Sequence, residues 1–496
     1  MSTLVSSALL SKVWNYVFIP VWLAQAAMLH PYYEPNETYR TIRLILAPIV
    51  IYLLFSSQPK RLIQPIEDYM HINYGLVAIP TFHITCCALQ YAFQRGPVLK
   101  SDLEPKKKMK RARESDLTES ESASATCSDS AEVIKSPQQN LSTDHNNLIE
   151  NSLKSKSLKP IFFKKRRDKR GKIPSWAELS KFSLGLVFSP RCLEYTWAPP
   201  ASVLSRGPKK SVAWFVLEEV VRLIGNQICL IAFAIFALPA TQYPGGPYAF
   251  VTEVWGVPDS AVLRYLSQYW LLGAYGAIGL HAFTIIGSFW NLVEVVWFTL
   301  TSRLLPGEWA PKPFNPTLYP TLFNDPTWRT SLTEFWGKGW HSVFRRDFMY
   351  CGAIPAAKLA SPLGPTASRL AGLMGAMLMS GIMHEWGLIS IVKDFDSSFR
   401  TTKFFLMIGV GIAIEAIIKQ VTGYKVSGNL GRIWTFGWIT LWCTLMMDAW
   451  LARGMGKAGI RTPCEVTDWS WPRFFVPLGP ILPDRFLDQF KFASTI

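Results

Sequence analysis

The sequence predicts an all-α protein, a polytopic transmembrane helical bundle with about eight to ten spans of roughly 20 residues each. Three observations carry this. Of the 496 residues, 49% are hydrophobic and only 17% are charged, and the apolar residues gather in long runs instead of alternating with polar ones. Several of those runs approach the length that crosses a hydrocarbon core. The formal net charge of +16 is concentrated between the runs, as in loops retained on the cytosolic side. On a soluble chain such an excess would raise nucleic-acid binding. Topology accounts for it here, and no nucleic-acid partner is expected.

In chain order the apolar runs cover residues 13–29, 42–56, 75–93, 213–240, 263–285, 289–304, 367–392, 404–418 and 433–451. The first ten residues lack a basic region and lead straight into a span, so no removable signal peptide is expected and the first span does the targeting. Three parts result: N-terminal membrane helices over residues 1–95, a basic and Ser-rich cytosolic loop over 96–175, and a helical domain over 176–496. The loop begins with Lys106, Lys107, Lys108, Lys110, Arg111 and Arg113 and ends with a second basic run from Lys164 to Lys172. Its composition cannot bury enough apolar surface to fold alone. In a chain with many spans, nuclear localisation is a poorer reading of those basic runs than membrane topology.

The eight cysteines form no C-x-x-C pair, and several sit in apolar runs where a thiol behaves as a small hydrophobe. Neither a disulfide framework nor a metal site is expected. Over residues 213–240, Glu218, Glu219, Arg222 and Asn226 recur at helical spacing along one face, which pairs internally as Glu218 with Arg222 or points into the bundle.

Residues 306–358 are too polar to span yet rich in aromatics, and six prolines break the first half. Ser331-Leu332-Thr333-Glu334 has the S-x-x-E spacing of a helix start, so a helix is expected from Ser331. It would carry Phe335, Trp336 and Trp340 as an aromatic surface, and Lys338, His341 and Arg345, with Arg346 beside them, as a cationic face. That face suits lipid phosphates at the interface or a polyanionic cosubstrate such as coenzyme A. His384 lies in Met379-Ser380-Gly381-Ile382-Met383-His384-Glu385-Trp386-Gly387, inside the 367–392 run. An ionisable group there is expensive and marks either a function or a hydrogen-bonded packing residue. Zinc is disfavoured because position 388 is Leu, so H-E-x-x-H is incomplete, and the G-x-S-x-G elbow is absent.

The string Pro326-Thr327-Trp328-Arg329-Thr330-Ser331-Leu332, then Phe335-Trp336-Gly337-Lys338-Gly339-Trp340-His341, then Ser380-Gly381-Ile382-Met383-His384-Glu385 resembles the wax synthase domain, a branch of the membrane-bound O-acyltransferases. The close resemblance covers residues 314 to about 390, with a looser one in hydropathy over 176–490. Two departures stand out: Lys338-Gly339 replaces a common pair of arginines, and Arg191-Cys192-Leu193-Glu194 stands where relatives often carry Arg-Gly-Ile-Gly. The resemblance implies a membrane-bound O-acyltransferase bundle around a reaction chamber, with His384 catalytic and the Trp336 to His341 region lining the acyl-donor site. Trp336, Lys338, Trp340, Arg345 and Arg346 would then bind acyl-CoA as cosubstrate, His341 would assist catalysis, and no permanently bound cofactor or metal would be needed. Fungal proteins resembling this domain commonly acetylate terpenoid and meroterpenoid hydroxyls, whereas plant relatives make long-chain wax esters. The long charged insertion and Trp-rich C-terminal half lean toward the former, an acetyltransferase of the endoplasmic reticulum. A transporter would also show many spans, but no internal repeat with matched broken helices is present.

Overall fold

Apolar runs of spanning length fold as helices, because lipid offers no partner for backbone N–H and C=O groups and the helix satisfies them internally. The computed structural model describes residues 14–67, 69–97, 173–189, 191–200, 211–237, 239–240, 243–311, 313–455 and 476–479. Its longer helices are α1 (Phe18–Ala27), α2 (Glu37–Arg61), α3 (Met70–Phe93), α4 (Trp176–Val187), α5 (Val212–Phe236), α6 (Trp270–Leu304), α7 (Pro365–Val392), α8 (Arg400–Thr422) and α9 (Gly428–Ala452). No β-strand occurs among the described residues.

Local signals place the ends. Asn36 accepts from the Thr38 N–H at 2.8 Å to start α2, whose last turn carries Lys60 and Arg61, cations placed at the negative end of the helix. Ser175 and Glu178 form a reciprocal capping box at α4, and Ser211 caps α5. α7 begins with Pro365 after Gly364 at φ +101° and stops at Lys393 in the left-handed region.

Five helices, α2, α3, α6, α7 and α8, are long and apolar enough to cross a membrane, while α1 is shorter. From Trp270 onward the expected spans at 263–285 and 289–304 are one continuous helix, α6, of 35 residues, while residues 263–267 lie in the separate short helix Ala261–Ser267. Gly287 and Ser288, between the two expected spans, are accommodated within α6: Gly287 faces Leu322 and Ser288 is buried. On the 213–240 face, Arg222 pairs with Glu219, one residue nearer than the expected Glu218, and Asn226 meets His281 of α6 at 2.8 Å. Residues 98–172, with both basic runs of the expected loop, lie outside the described residues. The helices on either side pack together, α1 against α4.

α7 is the centre of the bundle, packed on α8, on α3 and on the short helix Ile354–Ala360. Glycine makes the α7–α8 approach possible, since a Cβ at Gly381 would sit 2.7 Å from the Thr402 Cα. The helix expected from Ser331 is short. It runs from Leu332–Glu334 into a π-helical turn, Phe335–Gly339, and breaks before helical structure resumes at Arg345–Asp347. Gly337 and Gly339, with low helix propensity, straddle Lys338 at that end. Lys338 and Arg345 are therefore not on one helical face.

Candidate active site

His384 stands in the second half of α7 with its Nδ1 hydrogen-bonded to the Tyr74 hydroxyl. Tyr74 comes from the opposite end of the sequence, on a π-helical turn (Tyr74–Ala78) inside α3. Pro80, which lacks an N–H to return to residue 76, follows directly, and such a gap in the ladder favours local rewinding. The imidazole lies flat on Phe405 of α8, with ring centroids 4.9 Å apart and planes 5° from parallel, and is flanked by Trp450 of α9 at 5.8 Å. Four helices thus meet at one ring. Gly387, one turn along α7, is needed there: any Cβ would run into the Tyr74 ring.

The neighbouring acid has a separate task. Glu385 is buried, and its Oε1 accepts from the Thr401 N–H at 3.2 Å, putting a carboxylate at the N-terminus of α8, where the helix dipole favours it. It anchors α8, which carries Phe405, and leaves the imidazole to Tyr74.

His341 follows the break in the aromatic string. Its ring stacks on Phe283 of α6 at 5.7 Å and is edged by Phe323 and Phe344, and its buried Nδ1 has no hydrogen-bond partner among the described residues. Burial, reinforced by the positive charge of Arg191, pushes its pKa down to about 4, so the ring is neutral near pH 7. Trp336 joins the two histidines: it packs 5.7 Å from Trp340 and 5.9 Å from Phe405, the ring under His384. His341 lies within electrostatic reach of His384.

The expected cations separate. Lys338 and Arg345 are half-buried, and their side chains form no ion pair or hydrogen bond among the described residues; burial lowers the Arg345 pKa, yet a guanidinium stays charged. Arg346 turns away into the core, with its guanidinium on the sulfurs of Cys192 and Cys87 and over the Trp197 ring at 5.3 Å. Cys192 itself adopts φ +46°, a conformation that glycine takes without strain.

Glu415 of α8 was not legible as a site residue. Its carboxylate accepts from the Leu332 N–H at 2.6 Å, the Thr333 N–H at 3.0 Å, the Thr333 hydroxyl at 2.7 Å and the Trp434 indole at 3.0 Å, holding the start of the aromatic string against α8. Glu415→Gln sets an amide N–H₂ against those donors and should lower stability by about 1–3 kcal/mol, read as a lower melting temperature in detergent. An unchanged melt would show that this buried acid does not anchor the string.

Residues 319–407, which contain both histidines, match the model of the Membrane bound O-acyl transferase family. The acetyltransferase ple2 of Rhodocybe pseudopiperita is 25% identical over 314 residues, covering 60% of this chain and 75% of that protein. A probable long-chain-alcohol O-fatty-acyltransferase 2 of Arabidopsis thaliana is 31% identical over 132 residues, 26% of this chain and 35% of its own length. The acyl-CoA–sterol O-acyltransferase 1 of the same plant is 32% identical over 98 residues, 20% and 28% of the two chains. The chain spans about a third of the plant proteins and three quarters of the fungal one. Over residues 319–407 the chain is thus similar to the membrane-bound O-acyltransferases, and the relatives it matches are named as acyltransferases.

Proposed function

We propose that the protein transfers an acyl group, chiefly acetyl, from acyl-CoA to the hydroxyl of a lipophilic terpenoid-type alcohol in the endoplasmic reticulum membrane. The observation that carries this reading is the His384 imidazole, held at Nδ1 by Tyr74 and stacked on Phe405 within an apolar span. With the proton on Nδ1 donated to the Tyr74 oxygen, Nε2 keeps its lone pair. It takes the proton of the acceptor hydroxyl as that oxygen attacks the thioester carbonyl. The C–O bond forms, the C–S bond breaks, and the coenzyme A thiolate leaves, with the imidazolium returning the proton. His341 and the Trp336 indole N–H, both buried donors without partners, are suited to the oxygen that becomes negative in between. A donor of this kind is worth about 3 kcal/mol where measured.

Lys338 and Arg345 fit the donor phosphates, since cations without internal partners in a half-buried setting favour an anionic ligand. Trp336 and Trp340 supply the apolar wall beside them. Arg346, engaged with two sulfurs, contributes to that region through packing. Lys338→Met and Arg345→Met should chiefly raise the apparent KM for acyl-CoA with kcat little changed, as loss of uniform binding does. An unchanged donor KM in both variants would assign these cations to lipid headgroups instead.

A second reading, long-chain wax-ester synthesis, is favoured by the likeness to the plant fatty-acyltransferase. The α7 methionines argue for a short acyl group. Met383 is 2% exposed, Met379 packs beside it, and Met374 and Met377 fill the contact with Gly409, using space that a long chain would need. Competition between labelled acetyl-CoA and palmitoyl-CoA in microsomes decides the point. Acetyl esters are expected to dominate; dominant palmitoyl transfer would make the protein a wax-ester synthase.

A further inference from the structure

Beneath the His341 segment lies a second group of chemically active side chains that acyl transfer does not use. His83 and Cys87, one turn apart on α3, meet Asp347 from the segment after His341, and one potential ligand atom from each lies within 4.8 Å of the other two. Asp347 Oδ2 is 2.6 Å from His83 Nδ1, and Cys87 Sγ is 3.9 Å from that nitrogen and 3.6 Å from Nε2. All three residues are buried, Asp347 to 2% exposure. Two features are poorly explained by a hydrogen-bonded pair alone. Asp347 Oδ1 is buried with no partner among the described residues, and the Arg346 guanidinium directs N–H donors at two sulfurs, Cys87 at 3.1 Å and Cys192, rather than at the adjacent carboxylate.

We propose that His83, Cys87 and Asp347 bind a structural zinc ion, with Arg346 donating to the ligating sulfur. An imidazole nitrogen, a thiolate and a carboxylate are a normal zinc donor set, and a metal-bound sulfur keeps lone pairs that can accept from a guanidinium. Two ligands on one tetrahedral zinc stand roughly 3.6 Å apart for nitrogen and sulfur and about 3.3 Å for nitrogen and oxygen, from Zn–N, Zn–S and Zn–O distances near 2.1, 2.3 and 2.0 Å. The His83–Cys87 separation matches within a few tenths of an ångström. The His83–Asp347 contact is a hydrogen bond, and the ion displaces its shared proton as the pair widens by roughly 0.7 Å, the usual competition between proton and metal. The ion would tie α3 to the segment that carries His341, two parts of the chain more than 250 residues apart, and the ring of Phe344, 5.9 Å from His83 and 5.8 Å from His341, lies between them.

The test is the metal content of the full chain, purified in detergent through a tag without histidine and measured by inductively coupled plasma mass spectrometry. About one zinc per chain is expected, strongly reduced in Cys87→Ser and in Asp347→Asn. Because either variant could misfold, the parent is also stripped with a chelator. Its melting temperature should fall and be restored by zinc but not by magnesium, and cobalt in place of zinc should give a sulfur-to-metal charge-transfer band that Cys87→Ser lacks. Parent protein without zinc, with a melt indifferent to chelator, would establish a metal-free ion pair. Full zinc retention in folded Cys87→Ser would place the ion elsewhere. Either result overturns the proposal.

Discussion

Tyr74→Phe should lower kcat for acyl transfer by about tenfold or more, toward the ~10²-fold expected when a general base is lost outright, while the KM for acyl-CoA stays near that of the parent. The hydroxyl is the only described hydrogen-bond partner of His384 Nδ1. Without it the imidazole loses the contact that fixes its orientation and the tautomer with a free Nε2, since the hydrogen bond at one ring nitrogen decides which carries the proton. Gly387→Ala should act on the same contact from the other side, because the added methyl meets the Tyr74 ring and a displacement of about 1 Å can cost ~10²-fold. If both act through one contact, Tyr74→Phe/Gly387→Ala should be little worse than Gly387→Ala alone. Fully additive losses would show that Gly387 serves α7 packing and not the position of Tyr74. A loss confined to KM would assign Tyr74 to substrate binding.

How much of this was legible depends on the range of the interactions. Hydropathy marked every long helix except α4 (Trp176–Val187), because span length is a property of local sequence, but it could not say that Gly287 and Ser288 continue α6, where Leu322 packs against the glycine. The S-x-x-E signal correctly placed a helix start, and the Ser331 hydroxyl accepts from the Glu334 N–H at 3.1 Å. It said nothing about where that helix ends, and the glycines around Lys338 end it within two turns. His384 stood out as a polar group in an apolar run, and His341 through the aromatic string that precedes it. Their partners did not: Tyr74 lies 310 residues from His384, Glu415 lies 83 from Leu332, and no periodicity reports such pairs. Arg346 shows the opposite limit. Its charge and its place beside Arg345 read as part of one cationic face, whereas the break in the helix turns it into the core. The left-handed φ at Cys192 likewise follows from its place in the folded chain and not from any local propensity of cysteine.

His384→Asn is the most direct test of the account. The amide can still hydrogen-bond to the Tyr74 hydroxyl and fits an apolar helix without adding charge, yet it cannot accept a proton near pH 7. Microsomes containing the parent or the variant at equal levels would receive labelled acetyl-CoA and a panel of terpenoid alcohols, sterols and long-chain alcohols, and the label in extracted esters would be counted. The variant should form product at least ~10²-fold more slowly, with membrane insertion and acyl-CoA binding retained. Turnover within a few-fold of the parent would contradict the account: His384 would then be a packing residue held by Tyr74 and Phe405, and the base would have to lie elsewhere in the bundle.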